Sequence, residues 1–530
     1  ITIHVKRVFR CLSITALPAL VLSIFIISSA HAVLYKQDKP YYSDIGQFNY
    51  ARFLANEHGH KAAAREFGRL IENFPGSELI PEAQLRMGEA YLSAGMPVEA
   101  EAQLKLFLAN FPESPFVPEA YQLYGQARAR LKTLVLEERP QAAELAKGRG
   151  EPLIAVQVMF FEGRSYKEID AELKRLKDAG INTVIARVFH NKGDRFYKVA
   201  VAGAGSLPSS GVYFRTSSAP VVADVLSELT PLAHKNGLKL FAWMTTRYAD
   251  YGVEGNAKTA CVGYDIASGK YARCKGLDLF SDEAVARLEA IYSDLASYDI
   301  DGILFQDDLV LRHNEGFGQR AEALFKKDTG INADPASLYI VSDNEAAVHY
   351  TPLFWKWAAW KNRRLLDIAE RLKTAARAKN PSIKFAINMM YESVTNPPYA
   401  LAWLSQSLEK AVESGFDYYS IMAYHRQMEE ELGVKREEVK GMIARMIGAA
   451  VKTVGDPLKV LIKFQTIDWR SGTPLSDSEV LTLIQDVRQD TGRDYAGAGA
   501  VSMAIVPYRP GFPFFEFAYG QTPGPRGMMR

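Results

Sequence analysis

The sequence is poor in cysteine, in net charge and in paired histidines, and each shortage removes a class of function. It has 3 cysteines, Cys11, Cys261 and Cys274, too few for a disulfide-dense scaffold or a cysteine-rich zinc module. Its 63 basic and 61 acidic residues leave a formal charge of +2. No long basic run appears, so nucleic acid is excluded as a partner. Histidines lie close together only at His58 and His60, far in sequence from the acidic positions discussed below, so no metal and no other cofactor is expected. A Gly-x-Ser-x-Gly turn is missing, and so is a glycine-rich phosphate fingerprint after the first strand-like run. These absences argue against serine-based acyl transfer and nucleotide binding.

Long apolar runs are also scarce. One extends over residues 12–27, with Lys6, Arg7 and Arg10 before it and Ala30-His31-Ala32 after it, the pattern of a secretory signal over residues 1–32. An uncleaved anchor is the alternative, but the run falls short of the roughly 20 residues of a spanning helix. Cleavage would remove three basic residues and no acidic ones, taking the charge from +2 to −1. The expected protein is then periplasmic or secreted, with no stable membrane span. Cys11 would leave with the signal, and Cys261 and Cys274, 13 positions apart in a loop-like region, would pair as a disulfide.

At 530 residues, 48% hydrophobic and 23% charged, the chain is globular material for two or three units. The first occupies residues 40–131. There Phe74-Pro75-Gly76-Ser77 and Pro81-Glu82-Ala83 recur as Phe111-Pro112-Glu113-Ser114 and Pro118-Glu119-Ala120, a period of 111 − 74 = 37. Ala63, Phe67 and Ile71 map onto Ala100, Leu104 and Leu108 at the same offset. Each unit reads as two amphipathic helices with proline opening the next. The stretch resembles tetratricopeptide repeats, which implies a concave face for a protein partner; a mere cap on the next domain is the other reading. Residues 132–151 lack an apolar face and read as a linker.

Over residues 152–520 eight short apolar runs alternate with helical segments. The runs cover 154–160, 183–189, 239–245, 302–308, 384–390, 418–424, 460–466 and 499–505. The helices are expected over 167–179, 220–236, 282–297, 352–378, 401–414, 430–454 and 476–490. Eightfold alternation predicts a (β/α)8 TIM-type barrel preceded by a small all-α repeat domain, with a doubly wound sheet as the alternative. Barrel chemistry collects just after each strand. The fourth run, Asp301-Gly302-Ile303-Leu304-Phe305-Gln306-Asp307-Asp308, stops on two carboxylates. Around it in the same topological position stand Arg247, Asp250, Glu392, Tyr424, Asp468 and Trp469, with Trp243 inside the third run.

Carboxylates interleaved with aromatic rings suit a sugar site. Glycoside hydrolysis ordinarily needs two carboxyl groups, and neighbouring strand residues face opposite ways, so Asp307 and Asp308 are not expected to be that pair. Asp307 is the candidate acid or nucleophile and Asp308 its positioning partner. The second carboxylate is sought at Glu392, Asp250, Glu162 and Asp468, in that order. Trp243, Tyr424 and Trp469 are candidates for stacking on sugar, and Arg247 either binds substrate or pairs with a neighbouring acid.

The fourth run resembles Phe-Asp-Gly-Ile-Leu-Phe-His-Asp-Asp of the C-terminal hydrolase domain of bacterial poly-β-1,6-N-acetylglucosamine deacetylases of biofilm export systems. Phe241-Ala242-Trp243-Met244, Ser420-Ile421-Met422-Ala423 and Asp468-Trp469 extend the likeness across residues 152–515. The resemblance implies a barrel glycosidase acting on partly de-N-acetylated β-1,6-glucosamine polymers, with Asp307 as the leading carboxylate and acidic groups suited to free ammonium. Three departures stand out. Helical repeats stand where that family has its deacetylase domain, so deacetylation is not carried over. Gln306 replaces a histidine, and His313 aligns with an expected acid, which places it among the candidate substrate contacts. A noncatalytic polysaccharide-binding or export-scaffold protein is the alternative from another class.

Overall fold

The computed structural model describes residues 43–134, 150–201, 206–251, 256, 258–341, 348–494 and 501–520. The expected signal over residues 1–32 lies outside the described residues, as does most of the expected linker. Among the described residues, no helix is long and apolar enough to cross a membrane.

Five helices open the described chain: Asp44–Asn56, His60–Asn73, Ile80–Ser93, Pro97–Asn110 and Val117–Leu134. The third and fifth start 117 − 80 = 37 residues apart, the period read from the sequence. The repeated positions Ala63, Phe67, Ala100 and Leu104 are all buried between helices. The bundle rests on the barrel. Tyr50 enters the barrel's hydrophobic core beside Trp355, ring centroids 5.3 Å apart. Arg69 donates to the Val394 carbonyl at 2.8 Å, and Arg65 pairs with Glu409.

Eight parallel strands, Ile154–Val158, Thr183–Arg187, Lys239–Met244, Gly302–Phe305, Lys384–Met390, Tyr418–Met422, Val460–Gln465 and Ser502–Val506, form a closed barrel in sequential order. The first strand closes the ring: its Ala155 pairs with Thr183 on one side and Ala504 on the other. The strands are largely apolar because one face packs inside the barrel and the other beneath the helices, which is why apolar runs marked them. At Gly302 a Cβ would stand 2.5 Å from the Phe241 ring, so a glycine is what lets the third and fourth strands pack at that level. Helix starts follow their caps: Thr351 accepts from the Phe354 amide at 3.3 Å, with Pro352 opening the helix Pro352–Arg377.

The differences from the expected elements are local. The second barrel helix begins only at Leu226, because Val212 bridges Val221 and keeps the preceding residues extended. The segment expected as one helix over 401–414 is two, Pro397–Leu404 and Leu408–Glu413, parted at Ser405 with φ of 50°. Gly433, with φ of 64°, likewise divides His425–Leu432 from Arg436–Val454. The loop expected around residues 261–274 is a β-hairpin, Ala260–Asp265 and Lys270–Leu277, cross-linked by the Cys261–Cys274 disulfide with Cα atoms 5.1 Å apart.

Candidate active site

The strand ends enclose a narrow cleft of about 120 Å³ at the carboxyl end of the barrel. Its floor is polar: Gln157 from the first strand, Asn388 from the fifth and Lys463 from the seventh. Its walls are aromatic and thioether groups, with Trp243, Tyr424 and Trp469 joined by Met390 and Met422. The Tyr424 and Trp469 rings lie 5.5 Å apart at 45°. The indole N–H groups of Trp243 and Trp469 are buried and, among the described residues, have no hydrogen-bond partner. Such donors beside flat apolar rings match a sugar, which presents C–H faces and hydroxyl edges.

Asp307 stands at this cleft, partly open to it. The fourth strand ends at Phe305, so Gln306, Asp307 and Asp308 form a turn rather than its continuation. Among the described residues, no side chain donates a hydrogen bond to the Asp307 carboxyl. Burial raises its pKa above the ordinary carboxylate value; Lys463 and Lys275 oppose that rise, and the negative charge of Asp308 adds to it. A carboxyl that holds its proton longer than usual suits a general acid.

Asp308, one position on, faces another way. It is fully buried and does not line the cleft. One carboxyl oxygen accepts from Thr246 Oγ1 at 2.7 Å; the other accepts from the Arg247 amide at 2.9 Å and the Tyr248 amide at 2.7 Å. The Thr246 amide and the Thr245 hydroxyl also donate to this carboxyl. The turn after the fourth strand thereby fastens the chain leaving the third.

That fastening turns Arg247 away from the cleft. Its guanidinium is fully buried, donates through both terminal nitrogens to Glu315 Oε2 at 2.7 Å, and reaches the Val310 carbonyl at 2.8 Å. Gly276 of the hairpin lies against it, where a Cβ would stand 2.4 Å from the Arg247 carbonyl oxygen. Arg247→Met should therefore destabilise the fold by about 3–5 kcal/mol by leaving Glu315 unpaired, read as a lower denaturation midpoint.

The other sequence candidates scatter. Asp250 accepts from the Lys192 amide at 2.7 Å and so ties the loops after the second and third strands. Glu162 pairs with Lys198. Asp468 shapes the turn after the seventh strand by accepting from the Arg470 amide at 2.8 Å, and it lines a second cleft next to the main one. His313 stacks on Trp403 with centroids 4.2 Å apart, and its Nδ1 lies 3.0 Å from the Tyr350 hydroxyl; burial lowers its pKa to about 3. It does not line the cleft.

Glu392, the leading candidate for the second carboxylate, is also outside the cleft. A short helix, Glu392–Thr395, begins immediately after the fifth strand and turns this side chain toward Glu431. Burial and the Glu431 charge hold it protonated well above the usual range. Glu392→Gln should leave turnover near the native value in a hydrolysis assay, because a neutral amide replaces an already neutral acid away from the cleft.

Asp194, which the sequence reading did not single out, lines the cleft and pairs with Arg187 of the second strand. Among the described residues, the cleft also holds Arg187, Lys275 and Lys463 against two acids, Asp194 and Asp307. The acidic excess expected for a substrate rich in free ammonium is therefore not found there. The overlooked signal was polarity inside the apolar runs themselves: Gln157, Asn388 and Lys463 interrupt strands that are otherwise apolar and buried.

A closed parallel barrel whose mouth sets a carboxyl of raised pKa among aromatic rings has the architecture of a glycoside hydrolase. The chain belongs to hypothetical glycosyl hydrolase family 13, which it matches over residues 163–496. Among solved structures it is similar to the PgaB (BpsB) glycoside hydrolase domain from Bordetella bronchiseptica, at 21% identity over 67% of this chain and 93% of that one, with a TM-score of 0.52. That likeness is one of fold. The catalytic domain of a β-amylase from Paenibacillus polymyxa matches 67% of this chain and 91% of its own at 10% identity and a TM-score of 0.43. No curated protein matches the chain.

Proposed function

We propose that the protein hydrolyses an amino-sugar exopolysaccharide, a partly de-N-acetylated β-1,6-linked N-acetylglucosamine polymer, with Asp307 as the general acid. The observation that carries this reading is the placement of Asp307, free of side-chain hydrogen bonds among the described residues, beside Trp243, Tyr424 and Trp469 in one cleft. Tyr424 and Trp469 stack on the sugar rings. Three cations line the cleft, so the sugar at the reacting bond is an N-acetylated one, and ammonium-bearing units lie outside it. Asp194 is the second carboxylate, kept in place by Arg187.

In this reading the protein works in the periplasm or outside the cell. Its helical repeats dock a partner of the envelope machinery, and Asp308 acts only by holding the turn. The test is to incubate the protein with partly deacetylated β-1,6-glucosamine polymer and, separately, with its β-1,4-linked counterpart. Shortened β-1,6 chains are expected; β-1,6 polymer that stays at full length would overturn the substrate assignment.

A further inference from the structure

Lys463 lies in the middle of the seventh strand between the buried apolar residues Ile462 and Phe464. It is only 1% exposed, and its Nζ donates past the sixth strand to Asn388 Oδ1 at 3.0 Å. An ammonium withdrawn from water costs several kcal/mol unless an anion or a ligand compensates. Asn388 is neutral, and among the described residues Lys463 makes no ion pair in contact. Lys463 and Asp307 line the same cavity.

We infer that Lys463 is a positioning residue of the reaction: its ammonium, in the same cleft as Asp307, stabilises the carboxylate left when Asp307 passes its proton to the glycosidic oxygen. In that step the Asp307 proton moves to the glycosidic oxygen as the bond from the anomeric carbon breaks, and the bonding pair leaves with the oxygen. Water then gives its hydroxyl to the anomeric carbon, and a proton returns to Asp307. The inference rests on the reading of Asp307 as the acid.

The electrostatics agree with the geometry. Burial pulls the Lys463 pKa down to about 8, and the charge of Asp307 opposes that fall. In return, Lys463 is the leading influence that restrains the rise which burial imposes on Asp307. The other charged groups at the cleft are Lys275, which acts on Asp307 in the same sense, and the Arg187–Asp194 pair; Asp308 acts from behind the turn.

The test titrates Asp307 directly in protein carrying ¹³C-labelled aspartate carboxyls, with the signal assigned by its loss in Asp307→Asn. In Lys463→Met the Asp307 midpoint should rise by about 1–3 units, the usual effect of removing a nearby opposite charge. Lys463→Arg, which keeps the charge, should stay close to native. The basic limb of the hydrolysis pH profile should follow the midpoint upward, because a general acid works in its protonated form.

An unmoved midpoint in folded Lys463→Met overturns the inference. A moved midpoint with an unmoved basic limb overturns the acid role of Asp307, and with it any part for Lys463 in the reaction, while leaving their electrostatic coupling in place. Should Lys463→Met fail to fold, ¹⁵N-lysine spectra of Asp307→Asn read the coupling from the other side. There the Lys463 midpoint should fall, and an unchanged one overturns the inference.

Discussion

Asp307→Asn should lower turnover by about 10²–10⁴-fold, the usual contribution of a positioned acid or base, without weakening the fold. The substitution keeps the size of the side chain and removes the proton that the glycosidic oxygen requires. Among the described residues, no side-chain hydrogen bond to the carboxyl is lost with it. The effect on stability follows from the raised pKa of this group. A carboxyl that binds its proton more tightly when folded favours the fold most at low pH and loses that contribution as pH rises through its folded pKa. The asparagine variant carries no such loss, so its melting temperature relative to native should rise as pH leaves the ordinary carboxylate range. Turnover and thermal melts on one preparation check both halves.

Asp308→Asn should do the opposite, destabilising the protein by roughly 3 kcal/mol or more and losing activity as a consequence. The Asp308 carboxyl accepts from the amides of Thr246, Arg247 and Tyr248 and from the hydroxyls of Thr245 and Thr246. An amide in its place has one oxygen for these donors and turns an NH₂ toward the rest, leaving buried N–H groups unsatisfied. Because those donors set the course of residues 245–248, Arg247 and Tyr248 should loosen together. The check is a denaturation midpoint for Asp308→Asn far below that of Asp307→Asn. Two neighbouring aspartates would then be separated by readout, one through chemistry and the other through folding.

The sequence conveyed the barrel well because its signal was strong and repeated. Strands buried on both faces are largely apolar, and paired charges at the end of such a run mark where the chain emerges. That logic located Asp307 at the mouth and brought Trp243, Tyr424 and Trp469 to the same place. Separating Asp307 from Asp308 by strand alternation reached the geometry by a different route, since the strand stops at Phe305 and a turn does the separating. What stayed hidden was side-chain direction beyond the strand ends. Arg247 is carried outward by a loop wound around Asp308, and Glu392 is turned away by a helix that starts without a connecting loop. Neither event leaves a periodic trace in the sequence. The polar floor was present in the letters, but a single Gln, Asn or Lys within an apolar run looks the same whether it faces a cleft or a helix.

The central claim is that Asp307 protonates the bond being cleaved. The most direct measurement is a crystal structure of Asp307→Asn soaked with a β-1,6-linked oligomer of N-acetylglucosamine. A glycosidic oxygen is expected within about 2.6–3.2 Å of the residue 307 side chain, with sugar rings stacked on Tyr424 and Trp469. An oligomer bound with its glycosidic oxygens out of reach of residue 307, or seated on another face of the barrel, would contradict it.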